Sequence, residues 1–251
     1  MQGIVRLLLR MGSVFGRKVD NDVETVEQEK QEWQGPMLPG ATLTITNMAG
    51  NVDVVGTDEP QFRITAIKRG TAFDLNRIGI EVKENETGTV VRAFPVKRLS
   101  SSRNAHVHFT LEIPSSASLI AHTGNGNLQV SNITNVEAAS VNGSIRILDA
   151  SFASAETTNG QVDVSLREPK WEGALRFRSC NGGIRVQLPD QASAELDART
   201  SNGSVTSEFA LNSIAQSGRH YLRGRIGANT DGRQLICKTS NGHVHVARAA
   251  A

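Results

Sequence analysis

Several side chains in this chain of 251 residues have types and spacings that do chemistry in proteins. His106 and His108 stand two apart, as do His243 and His245. On a strand that spacing puts both imidazoles on one face, which is one route to a metal pair. A tetrahedral site needs further cysteine or carboxylate ligands in the same row, and neither pair has them, so the expectation is solvent-facing histidines, no metal and no cofactor. Asp53 and Asp163 are the carboxylates of one outward row, but glutamine and arginine separate them. Acid–base work on a glycan or calcium binding needs carboxylates clustered, which makes a β-helix glycan-processing enzyme the alternative rather than the leading reading. Arg176, Arg178, Arg199 and Lys238 form a basic stripe suited to an anionic envelope polymer or headgroup. No aromatic residues interleave it, which disfavours nucleic acid. Cys180 and Cys237 differ in parity along their strands and are expected two or more coils, ~9–10 Å, apart, beyond disulfide reach. Gly-x-Ser-x-Gly, Walker and dinucleotide fingerprints are absent from the sequence.

What positions these groups is an internal repeat. Asn-Gly occurs at Asn125-Gly126, Asn142-Gly143, Asn159-Gly160, Asn181-Gly182, Asn202-Gly203 and Asn241-Gly242. Two residues past each glycine stands Leu128, Ile145, Val162, Ile184, Val205 or Val244, and two further on the residue is apolar in all copies but Ser207. Three before each glycine stands Thr or Ser, and seven before stands Leu119, Val136, Ala153, Leu175, Leu196 or Leu235. A weaker copy runs through Leu43, Ile45, Gly50, Val52 and Val54. Alternation on both sides of the dipeptide means two strands, each with one buried face. Asn and Gly tolerate the left-handed backbone that a sharp corner between them needs.

Two architectures fit. Asn-Gly between alternating strands is the strongest hairpin signal, which makes a β-meander the rival. In a parallel solenoid, however, each position stacks ~4.8 Å from its own copy, so rows of like residues arise by construction. Such rows are what the sequence shows. The fold class expected is therefore all-β, a parallel β-solenoid with Asn-Gly corners and a less regular β-rich N-terminal cap. The cap covers residues 60–113, with strand character at 62–67, 89–94 and 106–113. A buried ladder of corner asparagines is expected to hydrogen-bond along the stack, so that Asn159→Ala would cost ~1–2 kcal/mol.

Composition sets outer bounds. Hydrophobic residues are 38%, aromatic residues 4% and charged residues 21%, with 23 glycines and a net charge of +2. This argues against wholesale disorder and, without a strong local patch, against an obligate nucleic-acid binder, and favours a fold of many turns. No run of ~20 apolar residues is present to span a bilayer. The domains expected are 1–35, a basic amphipathic segment with an acidic linker, and 36–251, the strand-repeat domain. On a helix Arg6, Arg10 and Arg17 fall together opposite Ile4, Leu7, Leu8, Met11 and Phe15. With Lys18 they form the expected membrane contact, through residues 3–18. The arginines interrupt the apolar stretch of a secretory signal and no small-residue cleavage site follows.

The opening Pro39-Gly40-Ala41-Thr42-Leu43-Thr44-Ile45-Thr46-Asn47, the strand Gly50-Asn51-Val52-Asp53-Val54 and the recurring Thr/Ser-x-Asn-Gly-x-Val/Ile cores resemble the bacterial "putative-adhesin" family, a β-strand-repeat domain of unknown function. The segment from Leu222-Arg223-Gly224 to Ser240-Asn241-Gly242-His243-Val244 also matches, so the resemblance runs from about residue 36 to 247. It implies a β-solenoid associated with the bacterial cell envelope and carries over no catalytic or binding residue. The function expected is a non-enzymatic, adhesin-like scaffold or binding module. Its expected partner is an envelope polymer or protein, and its location is at the envelope, with the cytoplasm and a membrane-bound assembly scaffold as alternatives.

Overall fold

A computed structural model describes residues 6–16, 25–85, 88–96 and 105–249. Their strands run in chain order as β1 (Arg6–Gly16), β2 (Thr25–Pro36), β3 (Thr42–Ala49), β4 (Val52–Thr57), β5 (Gln61–Gly70), β6 (Ile78–Asn85), β7 (Gly88–Pro95) and β8 (His106–Pro114). The repeats follow as β9 (Ser118–Asn125), β10 (Leu128–Ser131), β11 (Asn135–Asn142), β12 (Ile145–Ala150), β13 (Phe152–Asn159), β14 (Val162–Leu166), β15 (Ala174–Asn181) and β16 (Ile184–Leu188). The chain closes with β17 (Ala194–Asn202), β18 (Val205–Ser207), β19 (Leu211–Gly218), β20 (Tyr221–Ile226), β21 (Gln234–Asn241) and β22 (Val244–Arg248). One short helix, α1 (Ala72–Leu75), interrupts them.

Two 11-stranded sheets result, and their inward faces share one hydrophobic core. Each coil gives one strand to each sheet, turning between them at the Asn-Gly corner. Like positions stack in parallel register, with Leu128 on Ile145, Ile145 on Val162 and Val162 on Ile184. The period-two pattern is the reason: one face of every strand carries the apolar row, and any one-residue slip would turn it to solvent.

The corners stack through their backbones. The N–H of every corner glycine except Gly203, in the last coil of the stack, donates to the asparagine carbonyl of the next coil, as from Gly126 to Asn142 at 2.8 Å and from Gly143 to Asn159 at 2.9 Å. The buried hydroxyl three residues before each glycine donates the other way. Thr157 Oγ1 reaches the Gly143 carbonyl at 2.9 Å, Ser179 the Gly160 carbonyl at 2.9 Å and Thr239 the Gly182 carbonyl at 2.8 Å. Asn47 takes this place in the first coil, giving Nδ2 to the carbonyls of Gly50 at 2.9 Å and Val107 at 2.8 Å. A Cβ added to Gly143 would lie 1.9 Å from the Gly126 oxygen, and one added to Gly182 1.8 Å from the Gly160 oxygen. Close backbone approach therefore requires glycine here. The left-handed backbone expected at the corners is not the reason, because none of the six asparagines has positive φ. Among the corner glycines only Gly50 (115°), Gly126 (154°) and Gly242 (153°) do.

The corner asparagines form a continuous file. Nδ2 of Asn142, Asn159, Asn181, Asn241 and Asn202 each donates to the neighbouring Oδ1 at 2.7–2.8 Å. The file is exposed, not buried as expected, because the corner turns its carboxamides outward while the Thr and Ser hydroxyls face in.

In space the coils run β3/β4, β9/β10, β11/β12, β13/β14, β15/β16, β21/β22 and β17/β18. The last coil of the chain is thus inserted between two earlier ones. Cys180 of β15 and Cys237 of β21 consequently sit on neighbouring strands, which corrects the separation of two coils expected from chain order. Opposite parity still parts them: Cys180 is exposed, Cys237 is buried, and both are free thiols.

The cap differs from expectation at the N-terminus. Residues 6–16 form β1 rather than a helix, and the acidic stretch from residue 25 forms β2 rather than a linker. β2 pairs antiparallel with β1 and β5, and β5 in turn with β8. A lone amphipathic helix has little stability of its own, whereas the open edge of β2 offers a full ladder of backbone bonds. Cations of β5 and β2 itself accommodate the acids: Lys68 Nζ lies 3.8 Å from Glu29, and Lys30 Nζ lies 2.7 Å from Glu32. The Lys30 bond to Glu32 is the main influence holding that carboxyl below its ordinary pKa. Arg17 and Lys18 lie outside the described residues.

Three expectations follow for the corners. Gly182→Ala should destabilise by about 2–3 kcal/mol through backbone overpacking. Gly183→Ala, whose Cβ would stand 3.2 Å from its nearest neighbour, should cost under about 1 kcal/mol, and urea midpoints of the two variants compare them directly. Asn159→Ala, which removes bonds of an exposed file, should cost about 0.5–1 kcal/mol, and a loss above about 2 kcal/mol in the same assay would count against this assignment.

Candidate binding faces

Because side chains alternate, each sheet shows solvent a set of straight rows crossing the coils. The row expected to be basic is continuous in space. From coil to coil it reads Thr46, His122, Ala139, Glu156, Arg178, Lys238 and Arg199. Insertion of β21 places Lys238 between Arg178 and Arg199. Tyr221 of β20 follows Arg199. The adjoining row places Arg176 beside Ile236, then Asp197, then Arg223. Asp197 accepts a bond from Arg199 Nε at 2.7 Å and lies 3.9 Å from Lys238 Nζ. Two cations of the stripe thus share one carboxylate, a partner that sequence reading missed because Asp197 sits two residues from Arg199 in the row beside it.

On the opposite sheet the row is Asp53, Gln129, Arg146, Asp163, Arg185, His245 and Thr206. Arg146 Nε lies 3.6 Å from Asp163 Oδ2. Asp53 and Asp163 are three strand spacings apart, about 14 Å, too far for one glycosidic bond to sit between them.

The two histidine pairs have different surroundings. The rings of His106 and His108 meet edge to face, 4.8 Å between centroids. The backbone N–H of Asn51 donates to His108 Nδ1 at 3.2 Å, a bond that requires this nitrogen unprotonated. Burial lowers the His108 pKa, with the nearby charges of His106 and Arg69 adding and Asp53 opposing. Burial likewise raises the pKa of Asp53.

His243 and His245 tie the inserted coil to the terminal one. His243 Nδ1 pairs with Ser204 Oγ at 2.8 Å, and His245 Nδ1 with Thr206 Oγ1 at 2.9 Å. His245 Nε2 lies 3.1 Å from Glu208 Oε1, whose partner oxygen accepts the Arg248 N–H at 2.8 Å. The Arg248 bond is the first cause of the lowered Glu208 pKa. Thr206, His245 and Glu208 make a hydroxyl–imidazole–carboxylate chain on an open sheet face, and Glu208 lay outside every sequence motif. Among the described residues no cluster of three or more His, Cys, Asp or Glu has metal-binding geometry.

A recess of about 370 Å³ opens at the starts of β11 and β13, lined by Asn135, Ser151, Phe152, Lys170, Trp171 and Glu172. The loop carrying Lys170 and Trp171 lies between β14 and β15 and accounts for the longer repeat there. Trp171 packs into the core and its Nε1 has no hydrogen-bond partner. Among the described residues, no helix is long and apolar enough to cross a membrane.

The His108 geometry sets a pH dependence. Its folded pKa lies below the unfolded one, so the unfolded chain binds the proton more readily and stability is lost as pH falls through the histidine range near ~6.5. Urea midpoints measured from about pH 7 to pH 5 should decline, and His108→Gln should flatten that part of the curve. An unchanged slope would remove His108 as its source.

No curated protein matches the sequence. Among the solved structures that align with the chain at low identity are three bacterial proteins. The "putative cell adhesion protein" of Clostridium sporogenes is 10% identical over 88% of this chain and 100% of its own, with a TM-score of 0.48. The "putative adhesin" of Bacteroides fragilis is 10% identical over 88% of this chain and 97% of its own, at 0.42. The "putative lipid binding protein" of Parabacteroides distasonis is 9% identical over the same shares, at 0.37. A domain profile gives the assignment: Toastrack DUF4097 matches residues 115–247, the span that holds every Asn-Gly corner, and the chain belongs to that family.

Proposed function

We propose that this protein is a non-enzymatic, adhesin-like binding scaffold of the bacterial cell envelope. In this reading the outer face of the sheet containing β15, β21 and β17 meets an anionic envelope polymer. The observation that carries the reading is the file Arg178–Lys238–Arg199, three cations on successive coils with Arg176 in the adjoining row. A coil spacing of ~4.8 Å lets an extended polyanion lie across the strands and touch one cation after another. The stacked corners hold these side chains at fixed intervals, so little ordering of the backbone accompanies binding. Asp197 keeps the guanidinium and ammonium groups in place while the ligand is absent, and shares its two partners with the polymer when it arrives. The wide separation of Asp53 from Asp163 supports binding over glycan cleavage.

Binding of this kind weakens with salt, because exposed charges are screened. The triple variant Arg178→Glu, Lys238→Glu and Arg199→Glu should elute from an immobilised teichoic-type polymer at much lower salt than the parent, with affinity reduced about tenfold or more. Equal retention of parent and variant would sink the stripe as the ligand site. Fractionation of cells carrying the tagged full chain tests the location, and a wholly cytoplasmic protein would overturn the envelope reading.

A further inference from the structure

The coil β21/β22 is the last in the chain and the sixth of seven in the stack. On one side it pairs with β15 and β16, on the other with β17 and β18, in the same register throughout. Leu235, Cys237, Val244 and Val246 are fully buried between those neighbours. Thr239 donates to the Gly182 carbonyl below, and the Gly242 carbonyl accepts from Thr200 above, both at 2.8 Å. Nearly everything that holds the coil is therefore a repeat contact with the body of the molecule, and the body offers those contacts to any segment carrying the same sequence.

Chain order lets β17/β18 form before the coil that separates them from β15/β16 in the stack. β17/β18 precede β21/β22 in the chain, and the repeat they would first meet is β15/β16. Asn202 can stack on Asn181, Thr200 can reach the Gly182 carbonyl and Val205 can cover Ile184, because all copies share one chemistry. The final coil enters only when these neighbours stand apart. Its tether is residues 227–233, which leave the outer hairpin β19–β20 and pass β17. Gly227 (φ 70°), Asp231 (φ 44°) and Gly232 (φ 76°) form tight turns there, and a Cβ at Gly232 would meet nothing within 4 Å. Arg233 pins the far end of the tether, donating to the carbonyls of Ser193 at 3.0 Å and Asn229 at 2.9 Å.

We infer that the C-terminal coil is an exchangeable element: the gap between β15/β16 and β17/β18 accepts the β21/β22 coil of a second copy of this chain, giving a reciprocally swapped dimer. Exchange of an identical terminal element recreates every contact of the monomer and changes only the path of the tether, which is why it is a low-cost route to a dimer. The inference does not depend on the ligand proposed above.

The test uses full-length chains with a protease site inserted at Gly232, one population tagged at its N-terminus and the other at its C-terminus. The two are denatured in urea together, refolded at high protein concentration, and separated by size and by each tag in turn. A dimer carrying both tags is expected after co-refolding and not after mixing already folded proteins. Cleaving the tether of that dimer should then give monomer-sized particles in which the C-terminal tag of one chain stays with the N-terminal tag of the other. Failure of any particle to carry both tags, or a dimer that keeps its size on cleavage, would overturn the inference. A dimer formed by mixing folded proteins that stays dimer-sized on cleavage, with both tags aboard, would show instead an ordinary surface contact.

Discussion

The contact on which this molecule depends is that of one corner backbone lying directly on the next. Each corner glycine except Gly203, in the last coil, presents its carbonyl to the glycine of the neighbouring coil at a distance that leaves no room for a Cβ, as the 1.9 Å between a Cβ at Gly143 and the Gly126 oxygen shows. Buried Thr and Ser hydroxyls occupy those carbonyls, and the glycine N–H groups are taken by the asparagine carbonyls of the coil beyond. Unpaired backbone groups inside a core cost free energy comparable to a lost hydrogen bond, so this pattern is what allows a chain to turn sharply at the edge of its own core again and again. The exposed asparagine file lies outside it and adds a weaker, solvent-facing tie.

Fixed corners make fixed rows. With side chains registered coil by coil, the charge on either face becomes a matter of which residue each repeat supplies at a given position. The outward rows therefore differ freely while the inward rows stay apolar. The stripe of Arg178, Lys238 and Arg199 and the mixed row through Arg146 and Asp163 are two such outcomes on one scaffold. His108, half-sheltered where the cap meets the first coil, and His245, bridging the terminal coils, show how junctions between unlike segments create environments that the regular coils lack.

The ends of the rod are built differently from its middle. At one end the sheet containing β4 is extended by β8, parallel to β4, and then by β5, β2 and β1, each antiparallel to the strand before it. At the other, the hairpin of β19 and β20 lies along β17, and the backbone N–H groups of Thr200 and Val205 find carbonyls in the turn at His220 and Arg219. Both devices occupy strand edges that would otherwise remain open to further pairing.

The solenoid, its two strands per coil, its buried rows and its Asn-Gly corners were legible in the amino-acid sequence, because a period-two pattern repeated in register leaves one efficient way to bury every apolar residue. Strand positions in the cap at 62–67, 89–94 and 106–113 could be read for the same local reason. The N-terminal segment could not: Arg6 and Arg10 suit a helix considered alone, and the strand they join exists only because β2 offers an edge. The role of the corner glycines was also hidden, since φ preference and close approach both select glycine and only stacking distinguishes them. The order of the coils was decided by tertiary structure alone. Every repeat carries the same corner, hydroxyl and apolar rows, so any copy can stack on any other with equal register. It took the hairpin β19–β20, covering the far side of β17, to leave the place beside β15 as the one that the last coil fills.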